Sequence, residues 1–354
     1  MVFYICNPNF MKVIIIGLGS YKEGSGISAA KFFIEKGDDV LITDLKTKYD
    51  LARQIKELQK FCRLKKKALP KFVLGEHRES DILSADLVVR NPGVPKDSKF
   101  LRLAEKNKIP VETDISIFLK AISQKCAISD IAHKDCVKII GVTGTRGKST
   151  TVTLIYEMLR DANDANVKPR PRRVRGSTEL TVEVLGRRMT RKPRIWLGGN
   201  IKISPLSFIN QVKAGDIVVL ELSRWLLENF EKEKLAPHIA VVTNIYPDHL
   251  NTYKNMAEYI AAKKNIFACQ KKSDYLILNG ENNITKNWKG PGRMIKFYKT
   301  PPLLPLFKGR KVEGLKTNLL GAHNLENIAA ALAVAKIMKV PAENIKKVLK
   351  NFVV

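Results

Sequence analysis

Two consecutive α/β domains, each a parallel sheet covered by helices, are predicted by the 354-residue sequence. Three observations carry that prediction. The length exceeds one ordinary core, at roughly 100 to 200 residues per domain. Short apolar runs alternate with helical stretches, the mark of βαβ units. The rhythm breaks once, at Ala127–Cys136, and then restarts with a strand, a glycine-rich turn and a helix.

In the first half the strand Val13–Ile16 runs into a glycine-containing turn and the helix Ile27–Lys36. Gly37 then leads into a second strand, Val40–Thr43, closing on Asp44. Apolar runs at Phe72–Leu74 and Leu87–Val89 alternate with helical stretches at Leu51–Lys60 and Phe100–Asn107. In the second half, Val137–Val142 reads as a strand and Ser149–Arg160 as a helix. Later strands are expected at Ile217–Leu220, Ile239–Thr243 and Tyr275–Leu278, and the last helices at Asn324–Met338 and Ala342–Asn351. The boundary is placed between domains 11–136 and 137–354, with a basic loop inserted at about 165–194. Within it Lys168–Arg175 (KPRPRRVR) is too rich in proline for a helix interior, and Thr178–Val184 alternates like a hairpin strand.

With 45% hydrophobic and 27% charged residues the chain has enough apolar surface for a packed core. No run reaches the roughly 18 to 20 apolar residues of a membrane helix, so no membrane partner is expected. Met1–Phe10 lacks the pattern of a secretory signal, and Met11 reads as a natural start. Five scattered cysteines with no C-x-x-C pair fit free thiols and a cytoplasmic protein. The net charge is +28. Asp161–Ile195 holds only +6 of it, so the excess is diffuse. That suits small polyanionic substrates, and nucleic acid is not expected as the partner.

The strongest motif is Gly141-Val142-Thr143-Gly144-Thr145-Arg146-Gly147-Lys148-Ser149-Thr150. It is a variant of G-x-x-x-x-G-K-[ST], with Val142 where the pattern wants glycine. Backbone amides and a helix N-terminus would cradle phosphates, Lys148 would reach the β- and γ-phosphates, and Ser149 would ligate Mg²⁺. The first turn, Gly17-Leu18-Gly19-Ser20 continuing to Gly24-Ser25-Gly26, fails the dinucleotide pattern because Lys22 stands at the third glycine. It remains able to hold a diphosphate, with Asp44 placed to meet a ribose hydroxyl. Glu221-Leu222-Ser223 and Asn244–Leu250 (NIYPDHL) each follow a strand, at the carboxyl edge where α/β sites lie. Lys263 and Lys264 read, on their own, as solvated lysines of a helix.

In sequence order these motifs resemble the Mur ligases, and within them the D-glutamate-adding branch. The resemblance runs from Met11 to the end and rests on GLG…GSGIS, ITD (42–44), NPGVP (91–95), TGTRGKST (143–150), GGNI (198–201), ELS (221–223), NIYPDHLNTY (244–253), YIAAKKNIF (259–267) and GAHNLEN (321–327). It implies a Rossmann-like domain binding the UDP part of a substrate, followed by a central P-loop ATPase-like α/β domain. It also implies ATP and Mg²⁺, two ions being expected, with UDP-N-acetylmuramoyl-L-alanine and D-glutamate joined through an acyl phosphate.

Carried over by residue, ATP contacts fall on Gly144, Thr145, Arg146, Gly147, Lys148, Ser149, Thr150 and Asn327. Metal-site residues are Ser149, Glu221, His249 and Lys263, the last carbamylated, and Lys148, Lys263, His249 and Glu221 form the catalytic set. Substrate contacts fall on Leu18, Ser25, Gly26, Asp44, Asn91, Asn200 and Ser223.

Arg146 in place of the family's usual Asn, Leu45 after Asp44, the longer turn at Tyr21–Gly24, Arg224 and the basic insertion depart from the family pattern. The family's third, Rossmann-like domain, which closes over ATP and binds the incoming amino acid, has no counterpart in the sequence. A separately encoded C-terminal domain is the expected complement, without which the chain would be incomplete as a catalyst. The competing expectations are a UDP-sugar-binding remnant, an L-alanine-adding or folylpolyglutamate synthase-like ligase, and a nucleic-acid binder using KPRPRRVR.

Overall fold

The structure, a computed structural model, describes residues 10–95, 97–128, 136–165, 182–184, 187–189, 191–247, 255–298, 319 and 321–352. Contacts divide the chain into two units, the first made of residues up to 130 together with Gly198–Val212, the second of the remainder. The single boundary expected near residue 137 gave no sign of this excursion.

The first unit runs β1 (Lys12–Ile16), α1 (Ser25–Lys36), β2 (Asp39–Asp44), α2 (Ala52–Lys65), β3 (Lys71–Leu74), α3 (Glu79–Leu83), β4 (Leu87–Arg90), α4 (Lys99–Lys106), β5 (Val111–Glu112) and α5 (Asp114–Ile128). Its sheet has the order β3-β2-β1-β4-β5 and all its pairs are parallel. Strands covered on both faces must be apolar throughout, and Val13, Ile14, Ile15 and Ile16 of β1 are all fully buried. On one face Ile14, Ile16, Leu41 and Val88 pack with Phe100, Leu101 and Ala104 of α4. The helix α1 stops at Gly37, whose φ of 101° lets its amide close on the carbonyls of Phe33 and Ile34. Strand order reverses between β1 and β4, and the crevice such a reversal opens is where α/β sheets take ligands.

The second unit contains β6 (Lys138–Thr143), α6 (Lys148–Ala165), β7 (Val182–Val184), β8 (Arg187–Met189), β9 (Ile195–Gly199), β10 (Ile217–Glu221), α7 (Arg224–Leu227), β11 (Ile239–Val242), α8 (Met256–Ala268), β12 (Tyr275–Asn279), β13 (Arg293–Phe297), α9 (Ala322–Ile337) and α10 (Ala342–Asn351). Gly198 and Gly199, the end of β9, already pack with the first unit. The six-stranded order is β13-β12-β11-β6-β10-β9, with β6 parallel to β10 on one side and β11 on the other. β7 and β8 form a separate antiparallel pair within the basic insertion. The hairpin strand expected from Thr178 is described only from Val182, and KPRPRRVR lies outside the described residues.

Register fixes what surrounds the end of β6. Glu221 pairs with Val142, and Val242 with Thr143. The chain leaving β6 at Gly144 is therefore flanked by Leu222-Ser223 and Thr243-Asn244.

Candidate active site

The glycine-rich loop of the second unit is built by these flanking residues. Gly141 and Val142 open the glycine-rich motif but lie inside β6, as the strand expected over Val137–Val142 requires, and are buried. A Cβ at Gly141 would sit 2.8 Å from Leu222 Cδ1, so this glycine serves strand packing. The turn itself begins at Gly144, where a Cβ would lie 2.0 Å from Thr243 Oγ1. Thr243 Oγ1 donates to the Arg146 carbonyl at 2.7 Å. The Thr145 amide donates to the Asn244 carbonyl at 2.8 Å and the Arg146 amide to Asn244 Oδ1 at 2.9 Å.

Those two loop amides are spent on holding shape. By helix geometry the amides of Lys148, Ser149 and Thr150 have no carbonyl four residues back within α6, so they are the donors an anion would meet, with the helix dipole behind them. Lys148 Nζ turns back onto the carbonyls of Gly144 (3.0 Å) and Thr145 (2.8 Å).

Beside the helix start, Ser149 Oγ donates to Glu221 Oε2 at 2.6 Å. The carboxylate reaches this place because Glu221 is the last residue of β10. Thr143 Oγ1 donates to the Leu222 carbonyl at 2.7 Å, tying the ends of β6 and β10 together. Lys263 of α8 is 2% exposed, and its Nζ donates to Thr143 Oγ1 and the Gly144 carbonyl, each at 3.1 Å. Its neighbour Tyr259 shares a hydrogen bond with Thr145 Oγ1 at 2.9 Å. The lysine expected from composition to be solvated is thus the buried one of the pair, while Lys264 lies 5.3 Å over the Trp288 ring.

Asn327 of α9 meets the loop from above α6. Its Oδ1 accepts from Thr151 Oγ1 at 3.4 Å, and a Cβ at Gly147 would fall 1.9 Å from the same oxygen. With a φ of +77°, Gly147 is held to glycine by conformation and by space. Asn244 Nδ2 also donates to Glu326 Oε2 at 3.5 Å. Thr143, Thr243, Asn244, Tyr259 and Glu326 were not singled out from sequence. A usable signal existed for Thr243 and Asn244, polar residues ending an apolar strand. Tyr259 and Glu326 stand inside the motifs YIAAKKNIF and GAHNLEN, but their meeting with the loop depends on helix placement.

His249 and Asp248 lie outside the described residues. Ser223 stands at the N-cap position of α7, and its buried hydroxyl has no hydrogen-bond partner among the described residues. Among the described residues, no three His, Cys, Asp or Glu side chains gather as a metal cluster. The hydroxyl and carboxylate of Ser149 and Glu221 are instead a hard-oxygen pair of the kind Mg²⁺ takes beside phosphate.

In the first unit, five of the expected substrate residues converge on the turn after β1. Asp44 Oδ2 accepts from the Leu18 amide at 2.8 Å and Oδ1 from the Lys46 amide at 3.0 Å. Asn91 follows β4, and its amide donates to the Ile16 carbonyl at 3.0 Å. A Cβ at Gly26 would lie 2.4 Å from the Gly17 carbonyl oxygen, so only glycine lets α1 start against the turn. Ser25 opens that helix. Behind Asp44, the His77 ring meets Thr43 Oγ1 at 2.7 Å. Burial lowers the His77 pKa, against an opposing pull from Asp44. Asn200 is exposed, in the excursion that packs with this unit.

Comparison with known proteins adds the following. Residues 11–113 match the family described as Mur ligase MurD-like, N-terminal domain, and residues 142–300 match the Mur ligase middle domain. The UDP-N-acetylmuramoylalanine–D-glutamate ligase of Borreliella afzelii (strain PKo) is 32% identical over 98% of this chain and 67% of its own length. The enzyme of that name from Roseiflexus sp. (strain RS-1) is 31% identical over 96% and 67%. That of Borreliella burgdorferi (strain ZS7) is 35% identical over 75% and 46%. The chain therefore spans about half to two thirds of these relatives' lengths. Among solved structures, the UDP-N-acetylmuramate:L-alanyl-gamma-D-glutamyl-meso-diaminopimelate ligase of Neisseria meningitides aligns at a TM-score of 0.56, with 15% identity, over 98% of this chain and 99% of that one. The UDP-N-acetylmuramate–alanine ligase of Thermotoga maritima aligns at 0.51, with 20% identity, over 97% and 68%. At such identities these two are likenesses of fold.

Proposed function

The chain belongs to the Mur ligase family, and on that premise we propose that it takes part in the ATP-dependent joining of D-glutamate to UDP-N-acetylmuramoyl-L-alanine, in the cytoplasm. The observation that carries this is the Ser149–Glu221 pair, 2.6 Å apart at the first turn of α6. It sets a hydroxyl and a carboxylate beside amides suited to a terminal phosphate.

In this reading the amides of Lys148 to Thr150 and the Lys148 ammonium hold the β- and γ-phosphates. Lys148 exchanges its loop carbonyls for phosphate oxygens as nucleotide enters. Mg²⁺ would be held by Ser149 and Glu221, with His249 assigned to the metal site from sequence alone, and would neutralise charge between two anions that must meet. The L-alanine carboxylate oxygen attacks the γ-phosphorus and ADP leaves. The D-glutamate amine then attacks the acyl carbon and phosphate leaves with the carboxylate's former oxygen. Preorganised cationic and amide groups act where negative charge builds up.

Lys263 donates to Thr143 and Gly144 as an ammonium. Addition of CO₂ to its Nζ, with loss of protons, would replace that positive charge by carboxylate-like oxygens at the same buried position, suited to a second Mg²⁺. Asn327 is assigned to adenine and Ser223 to the reacting end of the substrate. Leu18, Ser25, Gly26, Asp44 and Asn91 are assigned to the UDP part, and Asn200 to the muramoyl-alanine part. The incoming amino acid is assigned to a further domain, as the family resemblance implies.

The test is phosphate release from ATP with UDP-N-acetylmuramoyl-L-alanine, comparing D-glutamate, L-lysine and no acceptor, with and without a C-terminal domain supplied in trans. Release stimulated by D-glutamate alone is expected. Stimulation by L-lysine instead, or release indifferent to the UDP-substrate, would overturn the assignment.

A further inference from the structure

One face of α2 has no part in the proposed chemistry. Residues 53–71 hold eight Lys and Arg against Glu57 alone, a net +7 out of the chain's +28. Some of that charge is answered locally. Glu57 takes Lys31 at 2.9 Å, Lys65 pairs with Glu35 at 2.6 Å and Lys71 with Asp39 at 3.1 Å. Arg53, Lys56, Lys60, Arg63 and Lys67, by contrast, are exposed and make no ion pair or side-chain hydrogen bond among the described residues. Spacings of three and four residues put the first four in one row along the helix. The turn that ends α2, where the Lys67 amide donates to the Cys62 carbonyl at 2.9 Å, prolongs the row.

Helix electrostatics account for only part of it. Cations beside the last carbonyls complement the dipole, which favours Arg63 and Lys67 where they stand. Arg53 sits in the opposite, first turn, which holds no acid, and there a cation opposes the dipole. Lys56 and Lys60 stand between the two ends, beyond the reach of either. Like charges three and four residues apart also repel. A row kept without acids to answer it is suited to a partner that brings the anions.

The apolar neighbours indicate which partner. Leu64, beside Arg63, is 73% exposed, and Leu69, two residues past Lys67, is 54% exposed. Phe10 is 80% exposed. A Cβ at Gly37 would lie 3.2 Å from Phe10 Cε1 and 4.0 Å from Lys67 Nζ, so that ring and that ammonium are neighbours. A nucleic-acid backbone offers leucine and phenylalanine little. The boundary between lipid headgroups and acyl chains takes both kinds of group, cations among the headgroups and Leu and Phe below them. No helix among the described residues is long and apolar enough to cross a membrane. The expectation of no membrane partner rests on the lack of such a segment, and adsorption on a surface needs none.

We propose that the α2 row, with Leu64, Leu69 and Phe10, is a docking surface for an anionic lipid bilayer. Its densest part lies away from the substrate turn. Gln54, near the start of α2, donates to the Gly19 carbonyl at 3.0 Å, whereas Lys67 and Phe10 gather at Gly37, ahead of β2 and so at the amino edge of the sheet. The surface is independent of the ligase reading.

Vesicle sedimentation with the full chain tests this. In about 0.1 M salt the chain should bind phosphatidylcholine vesicles containing about 30% phosphatidylglycerol at least about tenfold more tightly than phosphatidylcholine alone. Lys56→Gln, Lys60→Gln, Arg63→Gln and Lys67→Gln combined should remove about tenfold or more of that affinity. A control combining Lys232→Gln, Lys271→Gln, Lys272→Gln and Lys289→Gln, exposed lysines of the second unit, removes the same charge elsewhere and should stay within about threefold of the parent. Leu64→Gln alters no charge and should weaken binding about threefold or more. All these changes are at exposed positions, and Tm should stay the same in each. Equal binding to the two kinds of vesicle, equal losses in the two combined variants, or an unaffected Leu64→Gln would each overturn the proposal. So would indifference to vesicles together with binding of a single-stranded oligonucleotide that falls in the row variant, which would give the face to nucleic acid instead.

Discussion

At the scale of single residues, the loop of the second unit is specified by what glycine leaves out. Gly147 combines a φ of +77° with a position where a Cβ would lie 1.9 Å from Asn327 Oδ1. Gly147→Ala should therefore cost about 1–3 kcal/mol of stability and push Asn327 away from Thr151. A lowered Tm is the readout, and an unchanged Tm would show that the loop has slack the contacts do not suggest. Glu221→Gln keeps size and the Ser149 hydrogen bond but removes the charge. Mg²⁺-dependent nucleotide affinity should drop about tenfold or more, with the metal-free affinity little changed, which paired titrations with and without Mg²⁺ would check. Part of this site was legible in the sequence. Lys148, Ser149 and Glu221 could be placed because a strand, a glycine turn and a helix leave few arrangements. Lys263 could not be placed that way, since its burial comes from α8 packing across the end of β6, a contact 120 residues apart in sequence.

At the scale of elements, apolar strands flanked by helices were readable because burial on both faces forces continuous hydrophobic runs. The elements that went unread lack that pressure. β5 has two residues, and β13 at the sheet edge is exposed at Arg293 and Met294. α5 opens with a mixed sequence, TDIS, and gives little periodic signal. Gly198–Val212 could not be foreseen as part of the first unit, because partner choice between two apolar cores is not written in local periodicity.

The last helix supplies a prediction of its own. α10 is held to α6 through Asp161, which accepts from Asn344 at 2.7 Å and pairs with Lys347. Burial pulls the Asp161 pKa up, but Lys347, Asn344 and Arg160 outweigh it and hold the carboxyl below its ordinary value of 3.8. A depressed folded pKa contributes stability above the unfolded value, lost as pH falls through the folded one. The pair is partly solvated, so Asp161→Ala should cost only about 0.5–1 kcal/mol near neutral pH. The variant's stability should also fall less than the parent's as the solution is acidified below about pH 4. Parallel urea titrations at neutral and acid pH would show the difference, and equal losses in both proteins would remove Asp161 from the docking.

At the scale of the whole molecule, the two units each carry their own parallel sheet. One presents a glycine turn at the reversal of a 3-2-1-4-5 sheet, the other a glycine-rich loop at the end of β6. A charge of +28 surrounds both, so affinity for anionic ligands should weaken as salt rises past about 0.15 M, where the Debye length is near 8 Å. Most depends on the loop between β6 and α6 gripping a triphosphate through Lys148. Calorimetric titration of Mg·ATP into the parent chain and into Lys148→Ala tests this most directly. Affinity should fall at least about tenfold in the variant, the loss of one charge-assisted contact or more, while affinity for UDP-N-acetylmuramoyl-L-alanine stays the same. Equal Mg·ATP affinity in the two proteins would contradict that grip.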